Sequence, residues 1–148
     1  MKEEYFSTFM DIAINDFAKD KVENATWPKE RALELAIEAC NSLLPEGLQT
    51  KNHFLLNILL DENIAGFLWF AMEKDELHTY AFLYQIYIYP DLRSTGIGEK
   101  AMEAFKIEAK AMKAETIWLH VFGHNKKALK FYDRIGYDIS DLTLRLKI

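Results

Sequence analysis

Arg93, Gly96 and Gly98 fall in the spacing R-x-x-G-x-G, after an apolar run from Tyr80 to Tyr89 that stops at Pro90 and before an amphipathic helix. A strand, a glycine turn and a helix start together form an anion cradle. Backbone N–H groups at a helix N-terminus lack an intrahelical acceptor, the helix dipole adds partial positive charge there, and glycine lets a phosphate approach the main chain. The amides of Ser94, Thr95, Gly96, Ile97 and Gly98, aided by the charge of Arg93, are therefore expected to hold the phosphates of a cofactor.

Three phosphate-binding patterns compete for this turn. A P-loop ends in Gly-Lys-Ser or Gly-Lys-Thr, whereas Gly98 is followed by Glu99 and Lys100, which excludes that chemistry here. The dinucleotide fingerprint is met in its loose form by Gly96, Gly98 and Ala101. It also wants an acidic residue at the end of the next strand, where this chain has His120, Val121, Phe122 and Gly123. The third pattern accounts for more residues. The turn from Arg93 to Gly98, following Ile86-Tyr87-Ile88-Tyr89-Pro90, resembles the acetyl-CoA-binding motif of the GNAT superfamily of acyl-CoA-dependent N-acetyltransferases, in a small stand-alone bacterial form. Asn125, followed by Ala128, Phe131, Tyr132 and the pair Gly136-Tyr137, is similar to that superfamily's second cofactor segment, an Asn ahead of a helix that carries a Tyr. The resemblance runs from about Asn52 to the C-terminus, and the two opening helices match it only in type. The usual first strand of a GNAT domain is missing from the pattern, because helical spacing begins almost at once after Lys2.

The resemblance implies acetyl-CoA as cosubstrate and assigns roles to particular residues. Main-chain groups of Ile86, Tyr87 and Ile88 would bind the pantetheine arm as though it were another strand, with one N–H facing the thioester oxygen as an oxyanion donor. Tyr132 takes the place of the family's general acid. Its ordinary pKa of about 10 lies above the roughly 8.5 of a thiol, so it keeps its proton at neutral pH. Asn125 is expected both to cap its helix and to belong to the cofactor segment. His120 occupies a position where some relatives carry a catalytic Glu, and imidazole is a side-chain type suited to general base work; a water chain is the alternative. Tyr84 and Gln85 lie near the place where such sheets splay, and Gln85 cannot act as a base.

No metal centre is expected. His120 and His124 are four residues apart, a span of roughly 13 Å on a strand that is too long for two ligands of one ion unless the turn at Gly123 folds back. Cys40, the single cysteine, sits among small apolar residues and reads as buried packing, and with no second cysteine there is no disulfide framework. Lys126, Lys127 and Lys130 are equally suited to reaching the cofactor phosphates or to forming a solvated helix face.

The elements that must position these groups follow from apolar periodicity. Helical spacing runs through Tyr5, Phe6, Phe9, Ile12, Ala13, Asp16 and Phe17, with Asp16 the one polar exception, and again from Pro28 to about Leu44. Strand-like runs follow at 53–60 and 64–72 around Asp61-Glu62-Asn63, then at 80–89; helical spacing returns at 97–112 and 126–134, separated by a strand at 116–122. Residues 137–139 and 142–148 read as a last pair of strands, the second alternating Leu142, Leu144, Leu146 and Ile148. The expected architecture is a single α/β (α+β) domain over 1–148, with a GNAT-like mixed, mainly antiparallel sheet and helices on both faces. Its order is α-α-β-β-β-α-β-α-β-β, without the usual first strand.

Bulk composition suits one compact domain and argues against a protein built mainly to coat nucleic acid or anionic membrane. The 148 residues are half apolar and 14% aromatic, and 18 basic against 23 acidic residues leave a net charge of -5. No long apolar run or leader pattern is present, so a cytoplasmic location is expected. The function implied is transfer of an acetyl group from acetyl-CoA to a primary amine by direct attack through a tetrahedral intermediate. A non-catalytic acyl-CoA-binding or sensing module is the alternative. The acceptor is expected to be a small-molecule or peptide amine, its cleft shaped by the opening helices and hairpin with Phe17, Trp27, Trp69 and Tyr80; no nucleic acid or membrane partner is expected, and a homodimer is left open.

Overall fold

Helices α1 (Glu3–Glu23) and α2 (Ala32–Leu43) open the chain, followed by strands β1 (His53–Leu60), β2 (Asn63–Lys74) and β3 (Thr79–Ile88). Helix α3 (Ile97–Ala111), strand β4 (Thr116–Leu119) and helix α4 (Lys126–Arg134) complete the regular elements, in a computed structural model that describes all residues 1–148. The sheet order is β1-β2-β3-β4, with the first three strands antiparallel and β4 parallel to β3. The long crossover through α3 is what a parallel neighbour requires.

Alternation along β2 divides its side chains between two cores. Phe67 and Trp69, with Leu55 of β1, meet Phe9 and Ala13 of α1 and Leu44 on one face. Leu68 and Phe70, with Ala81 and Leu83 of β3, meet Met102, Phe105 and Ala109 of α3 on the other. Phe9, Phe67 and Phe70 are fully buried, each contributing about 1.5–3 kcal/mol by transfer out of water. The small residues Ala18, Ala32 and Ala36 let α1 and α2 pack closely. Cys40 is buried as expected, and desolvation raises its thiol above the usual range.

One close approach depends on glycine. Gly66 pairs with Ile88 across β2 and β3, and a Cβ there would lie 1.9 Å from the Tyr87 carbonyl oxygen. The end of β3, where the anion cradle begins, is thus seated against β2 by the lack of a side chain.

Three expectations differ from the structure. The strand expected to continue to Phe122 ends at Leu119, because its partner strand bends away. The two final strands do not form: the segment after α4 has no regular structure, and Leu142, Leu144, Leu146 and Ile148 are 72%, 87%, 85% and 111% exposed. Alternation prepares a segment for a sheet but supplies no partner, and this tail instead passes the end of α1, where Arg145 Nη1 donates to the Asn24 carbonyl at 2.9 Å. Finally, the second helix begins at Ala32 rather than Pro28. Helix α1 is the first element, and the N-terminal ammonium donates to the Leu55 carbonyl of the β1 edge at 2.7 Å.

Candidate active site

A bulge in β3 creates the cleft. Trp69 pairs with Gln85 and Phe70 with Leu83, leaving Tyr84 as the extra residue. A bulge bends its strand and re-aims the side chains beside it. Tyr84 packs toward the α1 face, Gln85 also reaches α1, and Ile86 returns to the α3 face. Two consecutive residues are thereby turned to one side. β4 pairs with β3 only from Tyr80 to Leu83, so beyond Tyr84 the outer edge of β3 has no strand partner. Ile86, Tyr87 and Ile88 lie on that stretch, paired on their other side with Leu68, Phe67 and Gly66. An extended chain could add there by backbone hydrogen bonding, the geometry expected for a pantetheine arm.

The turn after β3 leads into a helix start, as the glycine spacing suggested. A 3-10 turn over Pro90–Leu92 leads into Arg93, and Gly96, in the left-handed region at φ 85°, serves as N-cap of α3. No side chain caps this helix, and the first backbone bond into it runs from Lys100 N to Gly96 O. The six N–H groups from Ser94 to Glu99 therefore have no protein acceptor. A Cβ at Gly96 would meet nothing within 4 Å, so the surface over the turn is open. Arg93 does not extend freely into this space: its Nε donates to Ile88 O at 2.8 Å, and its guanidinium lies over the Tyr87 ring at 5.1 Å. It thus ties the turn to the last residue of β3, and its terminal nitrogens have no protein hydrogen-bond partner.

Helix α4 stands beside the cradle. The Phe131 ring lies 3.7 Å from where a Gly98 Cβ would be, and Arg134 approaches Glu99 at 3.8 Å. Asn125 caps α4, its Oδ1 accepting from Ala128 N at 3.0 Å, which leaves its side-chain NH2 without a protein partner. Tyr132 packs into the same apolar cluster as Ile86 and Leu119. Burial, reinforced by neighbouring Tyr137, pushes its hydroxyl up to about 12. Such a phenol stays protonated at all physiological pH values.

His120 is placed apart from Tyr132. It lies one residue beyond β4, is exposed, and sets its ring edge-on to Phe122 at 4.7 Å. Phe122 stacks on His124, whose Nε2 lies 3.2 Å from both Asp20 and Glu23 of α1. Lys21 sits over Phe17, Trp27 and Phe122. The aromatics Phe17 and Trp27 thus meet the loop after β4 and form a mouth at the α1 side of the cleft. Trp69 instead belongs to the core, stacked on Tyr84 at 4.7 Å with its Nε1 donating to His53. Lys126, Lys127 and Lys130 are exposed and form no ion pair.

Two carboxylates escaped the sequence reading. Glu73 accepts from Tyr80 at 2.8 Å and from Tyr84 at 3.1 Å; burial and this carboxylate push Tyr84 up to about 12. Asp16 accepts a long hydrogen bond from Gln85 Nε2 at 3.4 Å, while Gln85 Oε1 is buried without a partner. Desolvation raises the Asp16 carboxyl above its usual range, Asp20 adds to this, and Arg93 and Lys19 oppose it. Its polar interruption of an apolar helix stripe was the available signal. Only the fold shows that this position faces the bulge.

Comparison with known proteins follows the same outline. The model of the acetyltransferase (GNAT) family matches residues 11–137. YdgE of Bacillus subtilis, described as an uncharacterized N-acetyltransferase, is 31% identical over 151 residues, covering 100% of this chain and 95% of its own. YycN of the same organism, described in the same words, is 32% identical over 149 residues, with 100% and 96% covered. The crystal structure of YycN superposes with a TM-score of 0.94 over 100% of this chain and 95% of its own. A ribosomal protein bS18-alanine N-acetyltransferase of Salmonella typhimurium is 27% identical over 92 residues, 62% of this chain and 60% of its own. GNAT proteins generally use acetyl-CoA as cosubstrate. With a family match across nearly the whole folded body and relatives aligned end to end, this chain belongs to the GNAT family of acetyltransferases.

Proposed function

We propose that the protein transfers an acetyl group from acetyl-CoA to a primary amine by direct attack through a tetrahedral intermediate. The observation that carries this reading is the run of six unpaired amides from Ser94 to Glu99, continuous with the unpartnered edge of β3. Together they offer a pyrophosphate cradle and a strand-like track of the kind a CoA thioester needs. Acetyl-CoA supplies the activated acyl group; the chain's own residues bind, orient and move protons. Backbone groups of Ile86, Tyr87 and Ile88 align the arm, and a β3 N–H stabilises charge on the carbonyl oxygen. Asn125 keeps its side-chain NH2 for the cofactor.

The new C–N bond forms from the amine lone pair as the C–S bond breaks, so one proton must leave nitrogen and one must reach sulfur. Tyr132 serves the sulfur. With its hydroxyl at about 12, full transfer to a thiolate of ordinary basicity is uphill by about 5 kcal/mol, so its main contribution is a hydrogen bond that strengthens as charge develops. For the nitrogen, two candidates stand on different observations. His120 is the choice from sequence, at the aromatic mouth. Asp16 is favoured by its place beside the bulge, with a carboxyl raised toward neutrality and Gln85 Oε1 adjacent to accept a second N–H.

The acidic face of α1, with Asp16, Asp20 and Glu23, suits a cationic amine, and the bS18-alanine relative makes a peptide α-amine the first acceptor to try. Release of free CoA from acetyl-CoA across a panel of polyamines, aminoglycosides, amino acids and peptide N-termini, with an amine-free control, tests the reading. Thermal stabilisation by CoA without acetylation of any amine would favour a binding module instead.

A further inference from the structure

One carboxylate of the sheet has no cation beside it. Glu73, half-buried on β2, accepts from the Tyr80 hydroxyl at 2.8 Å and from the Tyr84 hydroxyl at 3.1 Å. No Lys, Arg or His forms an ion pair with it, whereas Glu23 meets Lys19 and His124, and Asp20 meets His124. His53 does not supply the missing charge. Its ring stacks on Tyr84 at 5.6 Å, but its Nδ1 accepts from Trp69 Nε1, and burial lowers its pKa against the pull of Glu73, so the imidazole is neutral. Two phenols solvate a carboxylate without neutralising it, and each of its oxygens keeps a lone-pair direction free.

The surface between Glu73 and the bulge is aromatic. Tyr80, Phe82 and Tyr84 share one face of β3, with Phe82 at 4.8 Å from Tyr84, and Trp118 of β4 lies opposite Phe82 and edge-on to Tyr80 at 6.4 Å. The three β3 rings are half-buried and Trp118 is 39% exposed, so the row is open to solvent. Such rings attract ammonium groups to their faces and shelter the methylenes between them. On β2, Trp69 faces Gln85 and Glu73 faces Tyr80, four residues or about 13 Å farther along the strand. The gap from the bulge to the carboxylate itself is shorter, because Glu73 reaches the hydroxyl of Tyr84, the bulged residue.

We propose that Glu73 receives a second cationic group of the acceptor, and that the preferred acceptors are flexible chain amines whose second ammonium lies several methylenes from the nitrogen that is acetylated. The inference rests on the acetyl-transfer reading, with the reacting nitrogen at the bulge beside Asp16 and Gln85. The aromatic row then carries the chain, and the free lone pairs of Glu73 hold its far end.

The test compares diaminooctane, diaminopropane and octylamine as acceptors at saturating acetyl-CoA. Beyond the statistical factor for two equivalent amines, diaminooctane should exceed octylamine in kcat/KM by about tenfold, mainly through KM, and the advantage should shrink as salt is raised. Diaminopropane is too short to reach both ends and should show no such advantage over octylamine. Glu73→Gln should bring the ratio of diaminooctane to octylamine close to the statistical factor. Equal use of diaminooctane and octylamine by the wild type, an advantage indifferent to salt, or a ratio unchanged in Glu73→Gln overturns the proposal. Calorimetric titration of diaminooctane into the CoA-saturated protein separates the proposal from the reading beneath it. Absence of turnover with every amine fails the transfer reading alone; the titration then decides, with about tenfold weaker binding to Glu73→Gln expected and equal binding overturning the assignment.

Discussion

Replacing Gly66 by alanine adds one methyl group, and its cost can be worked from the strand geometry. No unusual backbone angle is involved, so the substitution would ordinarily stabilise by about 0.4–1 kcal/mol through the unfolded chain. Here the new Cβ lies 1.9 Å from Tyr87 O, 2.9 Å from Tyr87 C and 3.0 Å from Ile88 Cα. All three atoms are backbone, and none can swing aside as a side chain would. A carbon meets a carbonyl oxygen comfortably at about 3.3 Å, so β3 must retreat from β2 by about 1.4 Å. That opens the pairing of Gly66 with Ile88 and strains the Tyr89 N to Ala65 O bond of 2.9 Å. Overpacking costs about 1–3 kcal/mol and a buried backbone group left unpaired about 1–3 more, which outweighs the entropic gain and leaves a net loss of about 3 kcal/mol. At about 2–4 °C per kcal/mol for a domain of this size, the melting temperature should fall by about 6–12 °C. Because the displaced residues lead directly into the cradle, CoA affinity measured by calorimetry should fall by about tenfold or more. A Gly66→Ala protein that melts within about 2 °C of wild type and binds CoA equally would refute the claim that close strand approach seats this site.

Three further outcomes follow from the same geometry. Gly96→Ala places a side chain at φ 85° with empty space around it, so the cost is purely conformational, about 1–2 kcal/mol, and it should appear in CoA binding as the cradle distorts. Tyr132→Phe should lower kcat on the order of a hundredfold with little change in CoA affinity; because the hydroxyl stays protonated to about 12, the wild-type rate should show no alkaline loss from this group below pH 10. Asp16→Asn should lower kcat and remove the acid limb of the rate profile, which in the wild type should lie above the ordinary carboxylate range. It should also raise stability at neutral pH. A carboxyl whose folded pKa is raised favours folding below its unfolded pKa, and that contribution is lost as pH rises through the folded value, so the charged form is a liability that Asn removes. If His120→Gln abolishes the acid limb and Asp16→Asn does not, the base is His120.

Much of the fold and the cradle was legible because the signals are local. The glycines at 96 and 98 mark a helix start whose amides depend only on neighbouring residues, and Asn125 caps α4 from the adjacent turn. Helical stripes likewise placed α3 and α4 to within a residue or two. What failed was relational. The end of β4 at Leu119 is set by the bulge at Tyr84, on a strand more than thirty residues earlier, so apolarity from Val121 to Phe122 could not reveal it. The alternating tail was recognised as strand-forming, but its sequence says nothing of where a partner edge lies. Asp16 looked like a flaw in a helix stripe and becomes meaningful only when Gln85 arrives from a strand 69 residues away. A carboxylate's role in a cleft belongs to tertiary structure.

The most direct test of the central claim is mass-spectrometric detection of product when the purified protein is incubated with acetyl-CoA and the amine panel. The account predicts an N-acetylated amine and free CoA appearing in equal amounts for at least one primary amine. That product should form more slowly at limiting acetyl-CoA when Gly96→Ala distorts the cradle, and should be greatly slowed by Tyr132→Phe. CoA release matched by acetate rather than by acetylated amine, or no turnover of acetyl-CoA with any amine, would contradict it.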